Sequence, residues 1–247
     1  GRVVPATPDP EREDGQVRTA AVGLSVTAGF APEALFFDMD GLLLDTERVG
    51  SEAFVAITAP FGVDEERARV FYASLVGTSS ASTRDRVADF VPGADIDDLI
   101  EDWHATVNRL MDHGVPLRPF VRETVSALAE QGRRMAVVTS TRGDRARDHL
   151  DRADLLKPFE TVVAGDEVKA NKPDPAPYLE AAARLSVTAA SCVAFEDSDH
   201  GVAAAVAAGC VTVQIPDLRP EGLALPVLGQ RVAGDLASAV RALGLIA

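Results

Sequence analysis

Apolar and polar positions along this 247-residue chain alternate between two rhythms. Short, nearly continuous apolar runs read as buried strands: one opening at Ala34, then Met135–Thr139, Thr161–Gly165, Cys192–Asp197, Val211–Ile215 and Arg231–Leu236. Helical spacing fills the intervals. Arg122–Gln131 places Val125, Leu128 and Ala129 on one face and stops at Gly132, a residue suited to a helix C-terminus. Asp174-Pro175 predicts the start of another helix, with Asp174 as cap, running through Tyr178, Leu179 and Ala182 to Leu185. Asp199–Ala208 is an alanine-rich helix ending at Gly209. Strands separated by single helices require right-handed crossovers, so the expected class is α/β with a parallel sheet.

The strand rhythm lapses between Glu47 and Gly114. Helical stretches replace it at Glu52–Phe61, Glu65–Leu75, Thr83–Phe90 and Ile96–Met111. An all-helical insertion straight after the first strand would cover the strand ends. The expected layout is a flexible leader over 1–32, an α/β core over 33–46 and 115–247, and a helical cap over 47–114. The leader carries Pro5, Pro8 and Pro10 among acidic residues, without periodicity. Ala20–Phe30 is mildly apolar, but acidic residues precede it where a secretory signal has a basic flank.

Composition narrows the partners. Hydrophobic residues at 47% and charged residues at 25% suit a soluble globular protein. No apolar run approaches the roughly 20 residues of a membrane helix. The net charge of −14 argues against nucleic acid and anionic membranes as partners. An anionic substrate would therefore need a local cation. Cys192 and Cys210 lack metal-type spacing and read as buried, reduced thiols. The expected location is the cytoplasm. Oligomeric state is not legible, and a monomer would suffice for a site built from one chain.

The first strand ends in Asp38-Met39-Asp40-Gly41, two carboxylates on one face if the extended backbone continues. Like charges this close repel, so a cation or a reaction would account for them better than stability. Asp-x-Asp-Gly also opens calcium loops, but Leu42, Leu43 and Leu44 stand where further oxygen ligands belong. Three more polar clusters follow apolar segments: Thr139-Ser140-Thr141, then Asn171-Lys172-Pro173-Asp174, then Glu196-Asp197-Ser198 with Gly201 beyond. In a parallel sheet, Asp38, Thr139 and Asp197 would all lie at carboxyl ends of strands, where ligand sites form.

These four clusters in this order resemble the haloacid dehalogenase superfamily, in the subgroup with a helical cap after the first strand. The likeness spans Glu33 to about Pro216 and implies a Rossmann-like core. The chemistry also follows from the residues. Asp38 is a poor nucleophile toward a phosphate dianion unless a metal and the Lys172 ammonium offset the repulsion. Mg²⁺ suits a site of oxygen donors, here Asp38, Asp197 and Glu196; the resemblance adds the backbone carbonyl of Asp40. Thr139 would donate its hydroxyl, and Ser140 its backbone N–H, to the phosphoryl oxygens, with the pairing open to a shift of one residue. Asp38 would take the phosphoryl group, and Asp40 would act as general acid and then general base.

Each residue also has a purely structural alternative. Thr139 or Ser140 could cap the next helix. Lys172 could be a surface lysine, and Glu196 and Asp197 loop carboxylates. Asp199 and His200 read as the start of a helix. Asp45 and Thr46 read as a brace beneath the turn.

Within the superfamily, Asp40 argues against dehalogenation, which needs no proton for the leaving group. The absence of lysine from Glu47 to Asp112 argues against a Schiff-base phosphonate hydrolase. The β-phosphoglucomutase branch carries a cap histidine where this chain has Gly50. It also carries an arginine after a glycine resembling Gly77, close to Ser80 here, with Arg84 farther on. Phe120 stands where relatives often have glycine. The expected activity is thus a Mg²⁺-dependent phosphatase for a small phosphorylated metabolite. A hexose-phosphate mutase and a non-catalytic binding protein are the alternatives. Arg48, Tyr72, Ser80 and Arg84 are candidates for specificity.

Overall fold

The computed structural model describes residues 30–76, 80–219 and 223–246, with 80 and 81 traced by backbone alone. The leader up to residue 29, Gly77 and the Ser80 side chain therefore lie outside the described residues. Among those described, six strands form one parallel sheet: β1 (Ala34–Phe37), β2 (Met135–Val138), β3 (Thr161–Val163), β4 (Cys192–Glu196), β5 (Val211–Gln214) and β6 (Arg231–Val232), in the order β3-β2-β1-β4-β5-β6. This is the α/β, Rossmann-like arrangement expected from the sequence.

The central strands are buried on both faces, which is why their apolar runs are continuous. Leu35 and Phe37 pack into a layer with Val125, Leu128, Leu150 and Val240. Phe36 faces the opposite layer, with Tyr178, Ala181 and Ala204. Phe37 lies opposite Val137 on β2 and Phe195 on β4. Chain order runs outward from β1 through β2 to β3, then restarts across β1 at β4. That reversal puts a crevice at the carboxyl ends of β1 and β4.

The helices are α1 (Thr46–Thr58), α2 (Glu65–Leu75), α3 (Ser80–Phe90), α4 (Ile96–Asp112), α5 (Val121–Glu130), α6 (Gly143–Arg152), α7 (Ala176–Arg184), α8 (Asp199–Ala207) and α9 (Leu236–Ala242). α1 to α4 enclose a cluster of their own around Phe54, whose ring meets Phe71, Tyr72, Phe90 and Trp103 at centroid distances of 5.8, 6.1, 6.0 and 5.0 Å. A cluster this aromatic gives four short helices enough apolar surface to pack without leaning wholly on the sheet. Both cysteines are buried and free, as expected.

The structure corrects several boundaries. The run Arg231–Leu236 is strand only at Arg231–Val232, because Asp235 caps α9. Its carboxylate accepts from the Ser238 N–H at 2.7 Å, and the Ser238 hydroxyl reaches back to residue 235. Leu236 therefore opens a helix. α1 begins at Thr46, six residues before the expected Glu52, and gives way to a 3-10 turn at Ala59–Phe61, where Pro60 has no N–H to continue it. α7 begins at Ala176, and Asp174 supports it from two residues away by accepting from the Ala176 N–H at 2.9 Å. No helix among the described residues is long and apolar enough to cross a membrane.

Candidate active site

Asp38 and Thr139 each follow the last residue of a strand, and both still join the ladder. The Asp38 N–H donates to the Phe195 carbonyl at 3.0 Å, and the Thr139 N–H to the Val163 carbonyl at 2.9 Å. The backbone thus aims both side chains off the sheet edge. Beyond Asp38 the chain doubles back: the Gly41 N–H donates to the Leu44 carbonyl at 2.9 Å, and Gly41 takes φ 81°, a left-handed value that favours glycine. Leu42, Leu43 and Leu44 then turn into the core. Those leucines anchor the loop rather than bind an ion.

Lys172, on the loop between β3 and α7, gathers the site. Its ammonium donates to Asp38 Oδ1 at 2.5 Å, Glu196 Oε1 at 2.6 Å and the Val138 carbonyl at 2.8 Å. All three ammonium hydrogens are accounted for. Burial works against this ammonium, but Asp38 and Glu196 outweigh it and hold its pKa above the ordinary lysine value. Glu196 is fully buried; it accepts from the Tyr178 hydroxyl at 2.5 Å and the Ser198 hydroxyl at 3.3 Å. A Cβ on Gly201 would fall 2.0 Å from this carboxylate, so the start of α8 must be bare there.

Asp38, Glu196 and Asp197 each offer a carboxylate oxygen within 4.8 Å of the others. Burial pushes the Asp38 carboxyl well above the usual range, with Lys172 opposing and Glu196 and Asp40 adding to the rise. Asp197 is raised in the same way, by burial and then by Asp38 and Glu196. Three acids against one ammonium leave negative charge in excess, and the donors are all hard oxygens. A divalent cation such as Mg²⁺ fits this set. The Asp40 carboxylate is held apart from it, accepting from the Thr141 hydroxyl at 2.7 Å and the Thr139 hydroxyl at 3.4 Å.

The structural alternatives resolve differently from residue to residue. α6 is preceded by Arg142, and neither Thr139 nor Ser140 caps it. Thr139 is buried and Ser140 exposed, and both line the same cavity as Asp38, Asp40, Lys172 and Asp197. Asp199 opens α8 as expected, and its carboxylate binds Arg219 at 2.8 and 3.0 Å and Gln214 at 2.9 Å. Asp45 braces the turn, pairing with Arg48 at 2.9 Å.

Two of the specificity candidates are engaged elsewhere. Arg48 binds Asp45 and Glu52, and Arg84 binds Asp97 at 2.6 Å. Tyr72 instead donates to Glu47 Oε2 at 2.7 Å, and Glu47 lines the cavity. Burial raises the Glu47 carboxyl, with Tyr72 opposing and Asp217 and Asp40 adding.

Sequence reasoning placed Thr141 and Glu47 in the polar clusters without giving either a role, and missed Tyr178 and Asp217 as parts of the site. Asp217 had a readable signal, since it lies just past β5 on the same sheet edge as Asp38 and Asp197. Tyr178 had none, because its helix face looks like ordinary core.

Comparison with known proteins agrees with this geometry. The model of the haloacid dehalogenase-like hydrolase family matches residues 35–215. The chain is 34% identical over 181 residues to the phosphorylated carbohydrates phosphatase of Thermotoga maritima, covering 72% of this chain and 82% of that protein. It is 34% identical over 222 residues to protein CbbY of Rhodobacter capsulatus, covering 85% and 97%. A family hydrolase from Deinococcus radiodurans, solved with bound phosphate and sodium, superposes with a TM-score of 0.73 at 27% identity, over 88% of this chain and 98% of that one. Fold order, clustered strand-end acids and these matches agree: the chain belongs to the haloacid dehalogenase-like hydrolase family.

Proposed function

We propose that this chain is a Mg²⁺-dependent phosphatase that hydrolyses a small phosphorylated sugar or related metabolite through an aspartyl-phosphate. The observation that carries this reading is the Asp38 carboxylate, fixed at a strand end by Lys172 beside Glu196 and Asp197. The phosphorylated-carbohydrate relative supports the substrate class. Residues 47–114 serve as a cap over the cavity, and 33–46 with 115–247 as the catalytic core.

Asp38, Asp197, Glu196 and the Asp40 carbonyl would hold the metal. The missing side chain at Gly41 keeps the space open, since a Cβ there would lie 2.4 Å from Asp197 Oδ2. When bound, Mg²⁺ supplies positive charge that lets a carboxylate approach a phosphate dianion.

The remaining chemistry belongs to the chain. An Asp38 oxygen bonds to phosphorus while the P–O bond to the leaving group breaks. Asp40 gives its proton to the departing alkoxide, which leaves as the free alcohol. Asp40, now a carboxylate, takes a proton from water as that water attacks the aspartyl-phosphate; inorganic phosphate departs and Asp38 is regenerated. Thr141 keeps Asp40 in place throughout. The Thr139 hydroxyl and the Ser140 N–H bind phosphoryl oxygens, Lys172 joins them by exchanging its bond to Asp38 for one to a phosphoryl oxygen as Asp38 takes the phosphoryl group, and a closed cap excludes bulk water.

The mutase reading has less support. A Cβ on Gly50 would sit 2.2 Å from the Tyr72 hydroxyl, so the position of that branch's cap histidine is already filled. The test is release of inorganic phosphate from a panel of sugar and alditol phosphates with and without Mg²⁺. Turnover should need the metal and vanish in Asp38→Asn. Turnover unaffected by either change would overturn the reading.

A further inference from the structure

We infer that Tyr178 is a positioning residue for the divalent cation: its hydroxyl fixes the Glu196 carboxylate, keeps one carboxylate oxygen free for the metal, and thereby sets the affinity of the site for Mg²⁺. This deepens the Mg²⁺-dependent phosphatase reading and rests on it.

Tyr178 stands in the first turn of α7 and is fully buried, in one apolar layer with Phe36, Ala181 and Ala204. Packing there asks only for an aromatic ring, which phenylalanine would supply. The hydroxyl is the part that needs a reason, because a buried O–H is unfavourable unless it is hydrogen-bonded. Its partner is Glu196 Oε1 at 2.5 Å. The same oxygen accepts from the Lys172 ammonium at 2.6 Å, so two donors from different segments converge on Oε1. Oε2 accepts only from the Ser198 hydroxyl, at a longer 3.3 Å. The unused acceptor capacity of this carboxylate therefore lies on Oε2. Glu196 is also one of the three acids whose ligand oxygens lie within 4.8 Å of one another.

Lys172 is poorly suited to hold Glu196 alone. Its ammonium is shared among Glu196, Asp38 and the Val138 carbonyl, and its bond to Asp38 is exchanged during the proposed reaction. The Tyr178 hydroxyl has a single acceptor and takes no part in that exchange. It is also neutral, so it fixes Glu196 without cancelling the negative charge that attracts a cation. A second ammonium in its place would compete with the metal. The Tyr178 ring lies 5.4 Å from Lys172 Nζ, within reach of a cation–π attraction, so one side chain steadies both groups. Residues that orient metal ligands in this way govern affinity strongly, by about 10–100-fold on removal.

The test is Tyr178→Phe, which keeps the ring and removes the hydroxyl. Mg²⁺ affinity is read without substrate, from the rise of the thermal unfolding midpoint along a Mg²⁺ titration. The variant should bind Mg²⁺ about tenfold more weakly or worse. Half-maximal phosphate release should need correspondingly more Mg²⁺, while KM for the ester at saturating Mg²⁺ stays within about twofold of wild type. Combined with Glu196→Gln, the substitution should add little to the loss caused by Glu196→Gln alone, because the hydroxyl acts through that carboxylate. A second measurement needs no variant at position 178. The chain has two tyrosines, Tyr72 and Tyr178, so labelling with 3-fluorotyrosine gives two ¹⁹F signals, assigned with Tyr72→Phe. Mg²⁺ should shift the Tyr178 signal with the midpoint of the thermal titration. A variant with a lower unfolding midpoint but unchanged Mg²⁺ affinity would reduce the hydroxyl to scaffold and overturn the inference. Additive losses in the double variant, or a Tyr178 signal indifferent to Mg²⁺, would do the same. Those results leave the phosphatase reading standing, whereas wild type that neither binds Mg²⁺ nor releases phosphate removes both.

Discussion

Lys172 holds two acids and a carbonyl at once, so its removal tests whether the buried charge is balanced by one side chain. Lys172→Met would leave Asp38 and Glu196 buried without a counter-charge, a loss of about 3–5 kcal/mol in analogous pairs. Thermal unfolding should show it, and added Mg²⁺ should restore part of the loss by supplying a replacement cation. His149 gives a pH-dependent case. Its ring is buried with Nδ1 unpartnered, and burial moves its pKa below 6.5. The unfolded chain therefore binds the proton more readily, so this contribution to stability is complete above the unfolded pKa and is lost as pH falls below it. The unfolding midpoint of wild type minus that of His149→Leu should fall between about pH 7.5 and about pH 5.

At Phe120 a local backbone requirement outweighs the preference of the side chain. The residue preceding α5 has φ 64°, a left-handed value, and its ring is 59% exposed. Its carbonyl is needed in place, accepting from the Thr124 hydroxyl at 2.6 Å. The left-handed conformation costs a non-glycine residue about 1–2 kcal/mol, while glycine loses about 0.5–1 kcal/mol more chain entropy on folding. Phe120→Gly should therefore stabilise the protein by about 0.5–1 kcal/mol in denaturant unfolding, since little buried area is given up. The sequence marks Phe120 as a departure from relatives, but only the backbone angle explains what glycine does there. Helix and strand identities were largely legible, because apolar runs and caps act over a few residues. Boundaries such as Thr46 and Leu236 were not, because a competing cap or turn decided them.

Taken together, the chain's net charge of −14 works against its own anionic substrate. Long-range repulsion of a phosphate monoester is screened by salt over a Debye length that falls from roughly 30 Å at 0.01 M to about 8 Å at 0.15 M. With Mg²⁺ saturating, kcat/KM for a phosphate ester should rise as ionic strength increases over that range, the reverse of the behaviour of a positively charged enzyme. Stopped-time phosphate release across a salt series measures it, and a fall would show that local cations dominate approach.

The amino-acid sequence established the alternation of strands and helices, the helical insertion after β1, the carboxylates that stand at strand ends and the lysine of the cluster before α7. Those features follow from residue propensity and periodicity, which act between near neighbours. Tertiary structure alone decided that Lys172 meets Asp38 across 134 positions, that Tyr178 supports Glu196, and that Glu47 and Asp217 face one cavity. Desolvation and hydrogen bonding depend on distances in space, and folding creates those distances between residues that the chain keeps far apart.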